Sequence, residues 1–215
     1  MSEYYLEKEY FVKVIEDLIE LVDKRQEYYT ELDSVIGDGD HGFNLNIGFR
    51  EVAQNMNEWK KLNVKGFYQQ VGTTLLDKVG GSSGPLYGSF FMKFGLPVKT
   101  KGEDEGATFE EFIQMFEKGV AIIQKRGKST VGEKTMVDTF VPAVETLRKE
   151  YEAGTPAKEA MEKAVEAGKA GLESTRNIVA TKGRAMRLGE RAIGHLDPGA
   201  ASAAEFLEVF YKNMK

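Results

Sequence analysis

Phe11-Val12-Lys13-Val14-Ile15-Glu16-Asp17-Leu18-Ile19-Glu20-Leu21-Val22 is the stretch from which the fold class of this 215-residue chain is read. Phe11, Val14, Ile15, Leu18, Leu21 and Val22 recur at spacings of three and four, with acids and a lysine between them. That is the period of an amphipathic helix, and it predicts one from residue 7 to about 29. Similar patterns predict helices over 43–59 and 64–79. Another follows Gly84-Pro85 and carries Leu86, Phe90, Phe91 and Phe94. Residues 95–107 read as a loop. Thr108-Phe109-Glu110-Glu111 has capping-box spacing and opens a helix toward residue 126. A further helix spans 136–151, where Pro142 predicts a kink or a later start. Thr155-Pro156 fits an N-cap followed by proline at the first helical position, beginning a helix to about 172. The last helix covers roughly 201–211. No segment alternates with period two between hairpin turns. The expectation is therefore an all-α, antiparallel bundle of seven to eight helices, one domain over residues 1–215.

Composition narrows the function. Twenty-nine Lys and Arg against 34 Asp and Glu leave a net charge of −5, which argues against nucleic-acid or anionic-membrane binding by charge alone. No cysteine is present, which removes disulfide scaffolds, zinc ribbons, iron–sulfur sites and thiol catalysis. A reducing cytoplasm is the natural default compartment. The acidic, aromatic start lacks the features of a signal peptide, and no apolar run is long enough to span a membrane. Glycine is in excess: 23 of 215 residues, about 11% against a usual 7%.

Most of these glycines fall into four clusters at inferred helix junctions: 37–48, 80–88, 127–132 and 183–199. The first reads Asp33-Ser34-Val35-Ile36-Gly37-Asp38-Gly39-Asp40-His41-Gly42-Phe43-Asn44. Converging carboxylates repel unless a cation sits between them, and hard oxygen ligands suit Mg²⁺ or Ca²⁺. The regular acidic spacing and terminal Glu of an EF-hand are missing, so a solvated acidic turn is the competing reading. His41 has no cysteine or second histidine nearby to make a zinc site; beside the acids, with Asn44 one helical step on, it suits a nucleotide contact. Gly80-Gly81-Ser82-Ser83-Gly84 offers N–H groups and hydroxyls before a helix. It is neither a Walker A loop nor a nucleophile elbow. The clusters around Gly127-Lys128-Ser129 through Lys134-Thr135-Met136 and around Lys182-Gly183-Arg184 place cations beside glycines, as a phosphate chain requires. Met136 is either core or a wall against a purine. His195-Leu196-Asp197-Pro198-Gly199 reads as a sharp polar turn.

Taken in order, Gly37 to Asn44, Gly80 to Gly88, Gly132 to Asp138 and Gly183-Arg184 through Asp197-Pro198-Gly199-Ala200 resemble the nucleotide-binding L subunit of dihydroxyacetone kinase, over nearly the whole chain. The resemblance implies an antiparallel eight-helix barrel holding ADP or ATP through two Mg²⁺ ions at one end. It implies Asp33, Asp38 and Asp40 as metal ligands, His41 and Asn44 as nucleotide contacts, and Ser82 and Ser83 on the phosphates. Gly127 and Met136 would lie at the adenine pocket, Thr135 would be a further nucleotide contact, Asp197, Pro198 and Gly199 would complete the pocket, and Arg184 would neutralise phosphate as the catalytic residue. The implied partners are a K-type subunit holding the ketose covalently and an M-type phosphocarrier that rephosphorylates bound ADP, within a homodimer or hetero-oligomer. Exchange of ATP, a related ketose such as erythrulose and a role in binding a transcription regulator are the alternatives. A fatty-acid kinase nucleotide domain also shares the acidic loop, usually with Thr where this chain has His41. Met186-Arg187 departs from the family's usual Ser-Tyr and adds a cation at the mouth.

Overall fold

The computed structural model describes residues 4–98 and 105–215. The extreme N-terminus and the middle of the expected 95–107 loop lie outside the described residues. Eight α-helices are present among those described: α1 (Lys8–Ile36), α2 (His41–Trp59), α3 (Val64–Lys78), α4 (Ser83–Phe94), α5 (Phe109–Gly127), α6 (Val137–Glu152), α7 (Ala157–Ser174) and α8 (Pro198–Lys212). Each helix packs on the next, and α8 returns to α1, so the helices close into a ring. The closure is polar as well as apolar. Glu205 on α8 receives Arg25 at 2.7 Å and the Tyr29 hydroxyl, while Tyr10 donates to the Phe210 carbonyl at 2.8 Å.

Aromatic rings fill the ring of helices. Phe90 and Phe94 on α4, Phe112 and Phe116 on α5, and Phe210 on α8 are all buried. Their centroids lie mostly 5–6 Å apart, as in Phe94–Phe116 at 5.0 Å and Phe116–Phe210 at 4.9 Å, the spacing at which edge-to-face and offset pairs are favourable. α8 is buried nearly all round because its Ala200, Ala201, Ser202, Ala203 and Ala204 are small enough to let neighbouring helices close on it.

Several expected boundaries shift for local reasons. α1 runs on to Ile36 and so carries Asp33. α8 begins earlier because Asp197 is an N-cap rather than part of a free turn: its carboxylate accepts the Ala200 N–H at 2.7 Å, and Pro198 follows where no N–H is needed. The capping box at Thr108 and Glu111 forms in both directions. Thr155, by contrast, caps nothing; its hydroxyl donates to Glu150 at 2.8 Å, and Pro156 takes the N-cap position. The all-α expectation holds apart from one minimal ribbon. Tyr5–Leu6 (β1) pairs antiparallel with Ala107–Thr108 (β2), two residues each and too short to alternate. Gly106 lets that pairing close: a Cβ there would fall 1.8 Å from the Leu6 carbonyl oxygen.

Pro142 does not delay the start of α6, which begins at Val137. It removes the N–H that would bond the Asp138 carbonyl, and α7 places Gly171 against that oxygen, where a Cβ would lie 1.9 Å away. Gly171→Ala is therefore expected to destabilise the protein. Overpacking of about 1–3 kcal/mol exceeds the gain of about 1 kcal/mol in helix propensity. A melting temperature lowered by a few degrees would confirm it, and an unchanged or raised value would refute the packing argument.

Candidate functional site

In a sequential antiparallel ring the connections α1–α2, α3–α4, α5–α6 and α7–α8 share one end. Those are the four connections that hold the glycine clusters. The same end gathers the N-termini of α2, α4, α6 and α8 beside the C-termini of α1, α3, α5 and α7, so first-turn backbone N–H groups of four helices face it, some of them held by side chains, as His41 is by Asp33 and Ala200 by Asp197. A cavity of about 210 Å³ opens between them. It is lined by Asp33, Asp38, Asp40, His41, Ser82, Ser83, Gly127, Thr135, Met136, Arg184, Asp197, Pro198 and Gly199. Residues up to 166 positions apart in the sequence thus meet at one place. Asn44 does not line the cavity. Its side chain lies under the Gly80-Gly81 turn, where a Cβ on Gly80 would approach its Oδ1 to 2.8 Å.

One carboxylate oxygen from each of Asp33, Asp38 and Asp40 lies within 4.8 Å of the others. Asp33 is buried at the end of α1 and accepts the N–H groups of Asp40 at 2.9 Å and His41 at 3.1 Å through one oxygen. Those two bonds fold the 37–40 hairpin back over α1. Glycine is required at position 37, where a Cβ would sit 2.0 Å from the other Asp33 oxygen, and Gly39 takes a left-handed φ of 73°. Burial pushes the Asp33 carboxyl above its usual range; the two N–H bonds oppose the rise, and Asp38 and Asp40 add to it. Arg184 reaches across and pairs with Asp38 at 2.8 Å. Three carboxylates with all-oxygen donors and so little protein compensation fit a hard divalent cation.

His41 is buried, and its ring is held at both ends: Nδ1 to the Ser83 hydroxyl at 2.9 Å and Nε2 to Ser202 at 3.0 Å, with Tyr87 continuing to Ser202 at 2.7 Å. Burial lowers its pKa to about 4, so the ring is neutral near pH 7. In this arrangement His41 fixes the Ser83 hydroxyl at the mouth of α4. The apolar wall comes from Ile36, Leu86, Ile123, Met136 and Ala185, several of which carry no signal in the sequence beyond ordinary core character.

The α5–α6 loop is organised by Asp138, fully buried, whose carboxylate accepts the N–H groups of Gly132 at 2.5 Å and Thr135 at 2.7 Å. Glu133 ties this loop to the 181–183 segment through Thr181 at 3.1 Å and Lys182 at 3.7 Å. The segment continues into two short 3₁₀ turns within Ala185–Ala192, broken at Gly189 with φ 56°, that the sequence pattern did not predict. Lys134, expected to face phosphate, instead buries its ammonium against the carbonyls of Thr175 and His195. Burial raises the Asp197 carboxyl to about 7, opposed by the Ala200 N–H and Lys134 and reinforced by Asp138 and Asp33.

Fold and site together define an all-helical barrel with a cation- and anion-receptive loop end. The DAK2 domain family matches residues 35–212. The chain is 46% identical, over all of its length and 99% of the relative, to the ADP-binding subunit DhaL of PEP-dependent dihydroxyacetone kinase 2 from Listeria innocua. It is 39% identical to the ADP-binding subunit of the PEP-dependent enzyme of Escherichia coli, covering 85% of this chain and 86% of the relative. The dihydroxyacetone kinase of C. freundii, solved with AMP-PNP and Mg²⁺, shares the fold with a TM-score of 0.68 at 24% identity; the match covers 95% of this chain and 33% of that larger one. The chain belongs to the DAK2 family, among the dihydroxyacetone kinase ADP-binding subunits. It is a kinase subunit, and no helix among the described residues is long and apolar enough to cross a membrane.

Proposed function

We infer that this chain binds ADP and ATP with Mg²⁺ and delivers a phosphoryl group to dihydroxyacetone held on a separate K-type subunit. An M-type phosphocarrier subunit would then rephosphorylate the bound ADP, an arrangement supported by the PEP-dependent relatives of matching length. The observation that carries the reading is the Asp33, Asp38, Asp40 cluster set among four helix N-termini: a metal-phosphate pair needs anionic oxygens and anion-directed N–H groups side by side. Bound Mg²⁺ would supply charge neutralisation for the transferring group, as in other phosphoryl transfers.

The protein's own residues do the rest. Asp33, Asp38 and Asp40 hold the metal, and the Gly81–Ser83 turn directs N–H and hydroxyl donors at phosphate, with Ser83 set by His41. Gly127, Thr135 and Met136 face the base, and Asp197, Pro198 and Gly199 close that side. Asn44 acts from behind, keeping the Gly80-Gly81 turn in place. Arg184, more than half exposed in its side chain and paired with Asp38, is free to exchange that carboxylate for the transferring phosphoryl group. Positioning and charge then carry the reaction.

Purified protein should carry nucleotide through desalting in Mg²⁺ and release it in a chelator, read by anion-exchange analysis of the denatured supernatant. A protein that neither retains ADP nor binds ADP or ATP added with Mg²⁺ would sink this reading.

A further inference from the structure

Lys134 lines the cavity, yet only 1% of its surface is exposed. Its Nζ donates to the Thr175 carbonyl and, at 2.5 Å, to the His195 carbonyl. Its backbone has a left-handed φ of 61°, a conformation that glycine adopts freely and lysine does not. Gly132, two positions earlier in the same loop, sits at φ 92°. A glycine at 134 would relieve the strain but would supply no amine. Burial of an ammonium is also unfavourable unless its donors are satisfied. Strain and a buried charge at one residue of a cavity wall mark a functional constraint.

The bonds from Lys134 lead to one place. Thr175, itself wholly buried, receives Lys134 on its carbonyl and the Asp197 N–H on its hydroxyl at 3.1 Å. Asp197 in turn caps α8 through Ala200 at 2.7 Å, and a Cβ on the next-but-one residue, Gly199, would be 3.4 Å from the Met136 methyl. Asp33, Asp38 and Asp40 stand on α1 and its hairpin, outside this chain of bonds. We propose that Lys134 is a positioning residue for the base-binding half of the cavity: by clasping the Thr175 and His195 carbonyls it seats Asp197, Pro198 and Gly199 opposite Met136. The inference rests on the nucleotide reading above and assigns Lys134 no contact with phosphate.

The test is a split between two ligands, measured by isothermal titration on wild type, Lys134→Met and Thr175→Val. The probes are ADP with Mg²⁺ and inorganic tripolyphosphate with Mg²⁺. Lys134→Met is expected to weaken ADP by about tenfold or more and tripolyphosphate by less than about twofold, because only the base side is unseated. Thr175→Val, which keeps the carbonyl and removes the acceptor for the Asp197 N–H, should shift ADP in the same direction by less. Circular dichroism controls for folding; if Lys134→Met does not fold, the Thr175→Val split decides. Equal weakening of both ligands, or none in a folded variant, overturns the proposal while leaving the nucleotide reading intact. Wild type that binds no ADP overturns both.

Discussion

Arg184→Gln is expected to slow phosphoryl transfer by about a thousandfold or more, the range over which a transition-state arginine acts in other phosphoryl transfers, while ADP affinity falls far less. The argument begins with what holds Arg184 now. Its partner is Asp38 at 2.8 Å, with side chains 55% and 33% exposed, and ion pairs so open to water contribute about 0–1 kcal/mol. A thousandfold in rate corresponds to about 4 kcal/mol. The arginine therefore gives up little in leaving Asp38 and has much to gain where negative charge develops in a drier site. Gln keeps some donor capacity but is shorter and carries no charge, so the variant removes the guanidinium and its charge together. Single-turnover transfer from the nucleotide-loaded protein to a K-type subunit with dihydroxyacetone reads the rate, and titration reads the affinity. A rate within about tenfold of wild type would remove Arg184 from the chemistry and turn attention to Lys182, the other cation on that segment that lines the cavity.

The barrel was legible because its determinants are local. The three-and-four spacing that begins at Phe11 needs only the helix period to be read, and the Thr108–Glu111 box announces itself within four residues. The site was legible in part because glycine leaves a mark wherever backbone must come close: position 37 against Asp33 is such a contact. The resemblance to a known family was needed to give those clusters individual roles.

What escaped the sequence depends on tertiary neighbours. Lys134 looked like a cation for phosphate, since nothing local shows that its amine ends between the carbonyls of residues 175 and 195. His41 stood beside acids in the chain, but its ring partners Ser83 and Ser202 lie 42 and 161 positions away. Asn44 followed His41 at a helical step, yet the turn of α2 carries it behind Gly80 rather than into the cavity. Asp197-Pro198 was visible as a turn ahead of the helix expected from 201; that Asp197 caps this helix and starts it at Pro198 shows only in its bond to the Ala200 N–H.

Asp38→Ala should abolish Mg²⁺-dependent nucleotide retention, with an affinity loss of about a hundredfold or more, since losing a group that merely hydrogen-bonds a metal ligand can already reach that size. Asp38 is a cleaner probe than Asp33. Asp33 accepts two backbone N–H bonds that shape the hairpin, so its removal would confuse binding with folding. Asp38 is partly exposed, and its carboxylate pairs with Arg184. The two states of the protein should then respond with opposite sign. Without metal, deleting one of three carboxylates within 4.8 Å relieves repulsion and forfeits only the weak Arg184 pair, so the melting temperature holds or rises. With Mg²⁺ and ADP, wild type gains stability by mass action, about 2.7 kcal/mol at a hundredfold excess over Kd, and the variant gains almost none. Thermal melts with and without Mg²⁺ and ADP measure both arms. A variant that melts lower in both conditions by the same amount would show Asp38 to be structural, whereas a lost ligand shift on an undiminished metal-free melt places it on the cation.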